Sequence, residues 1–191
     1  MKKAAVFLMI LTLSVSSAAC GSKETADNKA DAKTKEADNK MYELSSEDDV
    51  WTIKVSAPKG CSETDFSSDT ARAFERIGNV DGSSLQYVMT LRNADISTVE
   101  SDMKEEVQYL YTANSDDTIP AMDTQSSECN GKTWNYFSYN MEELSGYRVW
   151  VELSDGDVFA CTVEWIGEEE TPDDIDTVIK TLSSCIADYD V

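Results

Sequence analysis

The chain offers chemistry through carboxylates and thiols, since it holds 37 acidic residues, five cysteines and no histidine. Without histidine, Ser-His and Cys-His nucleophilic catalysis, histidine zinc sites and imidazole proton shuttles are excluded. The acids gather at Glu47-Asp48-Asp49, Asp116-Asp117, Asp155-Gly156-Asp157, Glu168-Glu169-Glu170 and Asp173-Asp174. Calcium needs several oxygens converging on one point, and no run has the D-x-D-x-D-G spacing of a calcium loop. No metal ligand is therefore assigned, and no cofactor is implied. A glycosidase needs two acids facing each other across a cleft, about 5 to 10 Å apart. A chain this acidic makes such pairs by chance, so no catalytic residue is assigned. Trp134, Tyr136, Tyr139, Tyr147 and Trp150 could stack on sugar rings. Strand alternation turns half of such a set inward, and core filling is the expected use.

The first cysteine has a different meaning from the other four. Lys2 and Lys3 precede an apolar run from Ala4 to Leu13 and small residues up to Cys20. That order describes a secretory signal peptide, and the apolar stretch is too short for a bilayer core, which needs about 20 residues. Ser17-Ala18-Ala19-Cys20 resembles the lipobox of bacterial lipoproteins, with three positions matching and Ser17 standing where Leu is usual. The resemblance implies cleavage before Cys20 and acyl chains, palmitate among them, on its sulfur. An ordinary signal peptide cut after Ala18 or Ala19 is the competing reading.

Residues 21–40 contain nothing apolar larger than Ala, and their lysines and acids balance. Such a segment has nothing to bury and reads as a tether, with a root-mean-square reach on the order of 25 Å for about 20 flexible residues. The expected organisation is a signal peptide over 1–19, a lipidated cysteine and tether over 20–41, and one domain over 42–191. The expected location is the outer face of the cytoplasmic membrane. The chain carries a net charge of −21, and the balanced tether leaves that excess on the domain. Such a field repels phosphate backbones and anionic head groups, so nucleic acid is not an expected partner. An envelope protein or a cationic ligand is, on a monomeric domain.

The elements that must position these groups follow from periodicity. Val50 to Ala57 alternates as a strand stopped by Pro58-Lys59-Gly60, and Cys61 to Asp69 reads as a polar loop. Ala71 to Ile77 fits a short helix or a strand. Asn79 to Gly82 reads as a turn, and Ser84 to Arg92 as a strand. Ser97-Thr98-Val99-Glu100 has the form of a capping box. Val99, Met103, Val107, Leu110 and Tyr111 then share one helical face. Residues 113–128 read as a polar loop. Thr133 to Met141, Tyr147 to Leu153 and Asp157 to Trp165 form a meander, with Gly146 and Asp155-Gly156 in its turns and the last strand central. The closing helix is expected to have Thr171 as N-cap, Pro172 as its first residue, and a stripe of Ile175, Val178, Ile179, Leu182 and Ile186.

This order implies an α+β fold, an antiparallel β-sheet with helices packed on it. Trp51-Thr52-Ile53-Lys54-Val55 running into Pro58-x-Gly60, and the meander followed by Ile175 to Leu182, resemble the PsbP-like fold, an α/β/α sandwich that includes DcrB-type lipoproteins. The resemblance implies a non-catalytic accessory or binding role and supplies no site residues. Four cysteines in an exported domain suggest two disulfides, with buried thiols as the alternative. On this fold the closing helix covers the Phe159, Cys161, Val163 face, so Cys161 pairs with Cys185. Counting around the hairpins puts Cys161 opposite Trp150, and Cys61 is left for Cys129. Three functions stay open: a tethered binding or accessory module, a carboxylate hydrolase directed at glycans, and a structural or stress surface protein.

Overall fold

The computed structural model describes residues 40–48, 50–80, 82–114, 119–141, 144–154, 156–172 and 174–187. The signal segment, Cys20 and the tether up to residue 39 lie outside them. The elements are β1 Met41–Ser45, β2 Thr52–Ser56, β3 Ser62–Glu63, β4 Ala71–Ile77, β5 Ser84–Asn93, α1 Ile96–Asn114, β6 Gln125–Cys129, β7 Lys132–Asn140, β8 Ser145–Ser154, β9 Asp157–Ile166, α2 Ile175–Cys185 and β10 Ile186–Ala187. Seven strands form one antiparallel sheet in the order β3-β4-β5-β9-β8-β7-β6, and β1-β2-β10 form a second. The protein is therefore α+β, with an antiparallel sheet and helices packed on it. No helix among the described residues is long and apolar enough to cross a membrane.

Alternation along the central strands sends side chains to two cores, one on each face of the large sheet. Val149 and Val151 of β8, with Phe159, Cys161 and Val163 of β9, meet Val178, Ile179, Leu182 and Cys185 of α2, together with Ile53 and Val55 of the small sheet. On the opposite face Phe137, Tyr139, Trp150, Val158 and Ala160 meet Val99, Met103, Val107 and Tyr111 of α1. The expected one-sided stripe of α1 and the central, doubly covered place of β9 are both observed. Trp134 and Trp150 are fully buried, so they fill the cores and do not form a sugar platform.

Several boundaries differ from the sequence reading, each for a local reason. Residues 71–77 are a strand, β4, paired along its length with β5. The expected loop over 113–128 ends in an edge strand: Gln125–Cys129 turns through Asn130-Gly131, both at positive φ, onto β7. Its polar sequence hides it because an edge strand needs no inward apolar set. Gly146 is not in a turn but within β8, opposite Tyr139. Cys161 faces Val149, not Trp150, because the β8–β9 register shifts at a bulge between Glu152 and Ser154.

The helix caps also move. α1 starts at Ile96, and its cap is Asp95, which accepts from the Ser97 and Thr98 N–H groups at 3.0 Å each. The expected Ser97 box does not form, and Glu100 instead accepts from Lys104 and Thr124. α2 is capped by Asp174, which accepts from the Thr177 N–H at 2.6 Å, three residues after the expected Thr171. In both cases a carboxylate nearer the first buried residue takes the free N–H groups.

The hydroxyls and amides of Ser97 and Thr98 hold the Asp95 carboxyl down at about 2, against an ordinary 3.8. A carboxyl with a depressed folded pKa adds stability above its ordinary value and loses it as pH falls toward the folded one. Asp95→Asn keeps a capping side chain and removes only the charge. Its urea midpoint is expected to lie below that of the parent at neutral pH, with the difference closing as the pH is lowered from 4 toward 2.

Candidate functional site

The two layers over the α2 face of the large sheet part above β4 and β5, and a cleft of about 290 Å³ opens there. One wall is the turn after β2. Cys61 N–H donates to the Pro58 carbonyl at 2.9 Å, with Gly60 at φ +82°. A type II turn requires that left-handed value at its third residue, hence glycine. The turn puts Lys59 on the exposed rim and Cys61 in the floor. The opposite wall is α2, through Thr177, Val178 and Thr181, with Thr171 and Pro172. Leu85 and Tyr87 of β5, Arg76 of β4 and Glu169 complete the lining.

The Arg76 guanidinium is aimed by an ion pair. Its Nε donates to Glu170 Oε2 at 2.7 Å, and the Glu170 side chain is only 8% exposed. Glu170 belongs to a short 3-10 turn, Glu168–Glu170, entered through Gly167 at φ +82°. Gly78 matters here too, since a Cβ on it would lie 2.8 Å from Glu170 Oε1 and would press on Ser83. The acidic run over 168–170 is thus not uniform. Glu168 and Glu169 are exposed, while Glu170 is buried to hold Arg76. Burial pushes the Cys61 thiol up to about 11, against the smaller opposing pull of Arg76. Burial likewise raises Tyr87, so both stay protonated at neutral pH. Cys61 is therefore no thiolate nucleophile.

A larger groove of about 440 Å³ is lined by Ile96, Gly131, Lys132, Thr133, Asn135, Glu152 and Leu153. Its lysine is spent on the Glu152 and Leu153 carbonyls. On the α1 face a polar cluster is closed over. Arg148, with 4% of its side chain exposed, donates to Glu164 at 3.2 Å and to the Tyr139 hydroxyl, and lies 3.9 Å from Glu106 of α1. Burial alone would lower the Arg148 pKa, but Tyr139, Glu164 and Glu106 outweigh it and raise it. This cluster ties α1 to the sheet and opens on none of the cavities described above.

None of the four cysteines of the domain is bonded to another in the structure. Cys61, Cys161 and Cys185 are buried in one core, and Cys129 is half-buried at the end of β6. The structure thus brings Cys161 and Cys185 into one core, together with Cys61. It separates Cys61 from Cys129, since one precedes β3 and the other ends β6, at opposite edges of the sheet. Iodoacetamide at pH 8 is expected to label Cys129 before the other three, read by peptide mass spectrometry; equal labelling of Cys161 would contradict the burial.

No group of three or more metal-ligating side chains occurs among the described residues. The cleft itself was not legible beforehand. Its only sequence signal was Pro58-Lys59-Gly60, read as a strand stop, while Arg76, Tyr87 and Glu170 carried none. No protein-family model matches the chain, and no curated protein matches its sequence.

Proposed function

We propose that the chain is a lipid-anchored, extracytoplasmic binding or accessory module of the cell envelope, held at the outer face of the cytoplasmic membrane through Cys20. The observation that carries a binding role is the cleft, where a rim lysine, an aimed arginine and a buried tyrosine converge on an apolar floor. The lining is about evenly polar and apolar, and placed polar groups of this kind fix a small ligand's orientation. A carboxylate hydrolase is less well supported. Glycoside cleavage needs an acid whose pKa is raised so that it stays protonated. The carboxyls with a resolved shift, at Asp48, Asp95, Glu100 and Asp174, are all lowered, by hydrogen bonds from neighbouring hydroxyls, amides or Lys104.

The anchor is supported by the order Lys2-Lys3, apolar run, Ala18-Ala19-Cys20-Gly21-Ser22 and the neutral tether that follows. A PsbP-like fold is supported by helices on both faces of the antiparallel sheet, and by β2 running into Pro58-x-Gly60. An oxidised form joining Cys161 to Cys185 fits their place in one core.

Cys20→Ser tests the anchor. Fractionation of cells is expected to move the protein from the membrane to the culture medium or periplasm, and mass spectrometry should find acyl chains on Cys20 only in the parent. An unmodified N-terminal peptide from the parent would sink the reading.

A further inference from the structure

Three observations on the cleft point to the same ligand chemistry. Arg76 spends only Nε on Glu170, and its two terminal nitrogens have no partner among the described residues. They form one side of a planar donor fork, which fits a carboxylate oxygen pair better than a point acceptor. Lys59, on the rim beside it, makes no ion pair or hydrogen bond with any described residue. Most cations of this acidic domain are committed elsewhere: Lys40 and Arg72 to Glu63, Arg92 to Asp102 and Glu106, Lys104 to Glu100. Tyr87 is 5% exposed, lines the floor, and its hydroxyl has no hydrogen-bond partner among the described residues. The hydroxyl is not sealed from solvent, so it can donate to a ligand oxygen in the cleft.

The remaining lining limits the ligand further. Leu85, Val178 and the Tyr87 ring are apolar and buried. A volume of about 290 Å³ holds about ten waters at about 30 Å³ each, which is room for a short-chain acid. Glu169 is the one carboxylate in the lining, and it is exposed at the rim. It disfavours a ligand with more than one negative charge. The net charge of the chain by itself favours a cation, and in the cleft Lys59 and Arg76 only balance Glu169 and Glu170, so an anion would be held by aimed hydrogen-bond donors and not by a net positive field.

We propose that the cleft between the Pro58–Cys61 turn and α2 binds a small organic monoanion with an apolar body. Its carboxylate sits on Lys59 and the free edge of the Arg76 fork, within reach of the Tyr87 hydroxyl, and its body lies against Leu85 and Val178. This rests on the binding-module reading and names the ligand class for it.

The test is a titration of the full-length chain carrying Cys20→Ser, followed by amide chemical shifts, with hexanoate as the probe. Hexylammonium and inorganic phosphate serve as controls for the charge and for the apolar body. Hexanoate is expected to saturate, with shifts centred on Cys61, Tyr87, Val178 and Thr181. Lys59→Gln and Tyr87→Phe, which leave the Arg76–Glu170 pair intact, should each weaken it about tenfold or more, as the loss of one hydrogen bond to a charged group would. The proposal is overturned if hexanoate gives no saturable shift on the folded protein. It is equally overturned if hexylammonium or phosphate binds as well as hexanoate, or if both variants bind it like the parent. Anchoring is read separately, by fractionation, so either idea can fail without the other.

Discussion

Replacing Arg148 by Ala is expected to destabilise the domain by about 3–5 kcal/mol, the range for breaking a buried ion pair from one side. The reason is what stays behind. Glu164 has 14% of its side chain exposed and would lose its buried cation. The Tyr139 hydroxyl would lose the Arg148 donor while still donating to Glu164. Glu106 would keep Arg92, at 3.0 Å, but lose its second tie to the sheet. Removing the whole cluster should cost much less. In the triple variant Arg148→Met, Tyr139→Phe, Glu164→Leu no charge is stranded, and buried pairs replaced by packed apolar side chains are often neutral in stability. Urea unfolding of the parent, the single and the triple variant measures both. A single variant as stable as the parent would mean that Glu164 rehydrates freely and that the cluster is surface chemistry. A triple variant no better than the single one would mean that the polar contacts, not the stranded charges, set the cost.

Gly146→Ala is expected to cost about 1–3 kcal/mol, from overpacking. Gly146 lies opposite Tyr139 on neighbouring strands, and the tyrosine ring crosses it; a Cβ there would fall inside contact distance of the ring and hydroxyl carbon. Tyr139 is 4% exposed and its ring stacks under the Arg148 guanidinium, with 4.8 Å from guanidinium carbon to ring centre. The ring therefore cannot swing away without unpairing Arg148. Glycine costs conformational entropy in a strand, and here the absent side chain makes space for the polar cluster. The effect should couple to Tyr139. Gly146→Ala in a Tyr139→Leu background should cost much less than in the parent, as neighbours that share space do. A cost unchanged by Tyr139→Leu would place the penalty in the backbone instead.

Both positions show how far pattern reading reaches. Gly146 was read as a turn residue because glycine between two strands is ordinarily a turn. Its use as a platform for Tyr139 depends on register, which a tyrosine seven residues upstream does not announce. Nothing in the strand pattern of Tyr147 to Leu153 sets Arg148 apart, and it is buried because α1 comes down over it. Glu170 was hidden in the same way, as one acid in a run of three, buried only because Arg76, far away in the chain, reaches it. The Cys161 partner was missed by one residue because a single bulge shifts a whole row.

What the sequence determined by itself is whatever depends on near neighbours. That includes the apolar faces of β9, α1 and α2 and the α+β order of the elements, which follow from a periodicity of two or 3.6. The tertiary structure alone decided which separate segments meet. It put Lys59, Arg76, Tyr87 and Val178 around one cleft, buried Arg148 with Glu164, and set Cys61 and Cys129 at opposite edges of the sheet. Periodicity says which face a side chain takes. Distance between faces is set by strand order, bulges and the layer packed above, and those are properties of the whole chain.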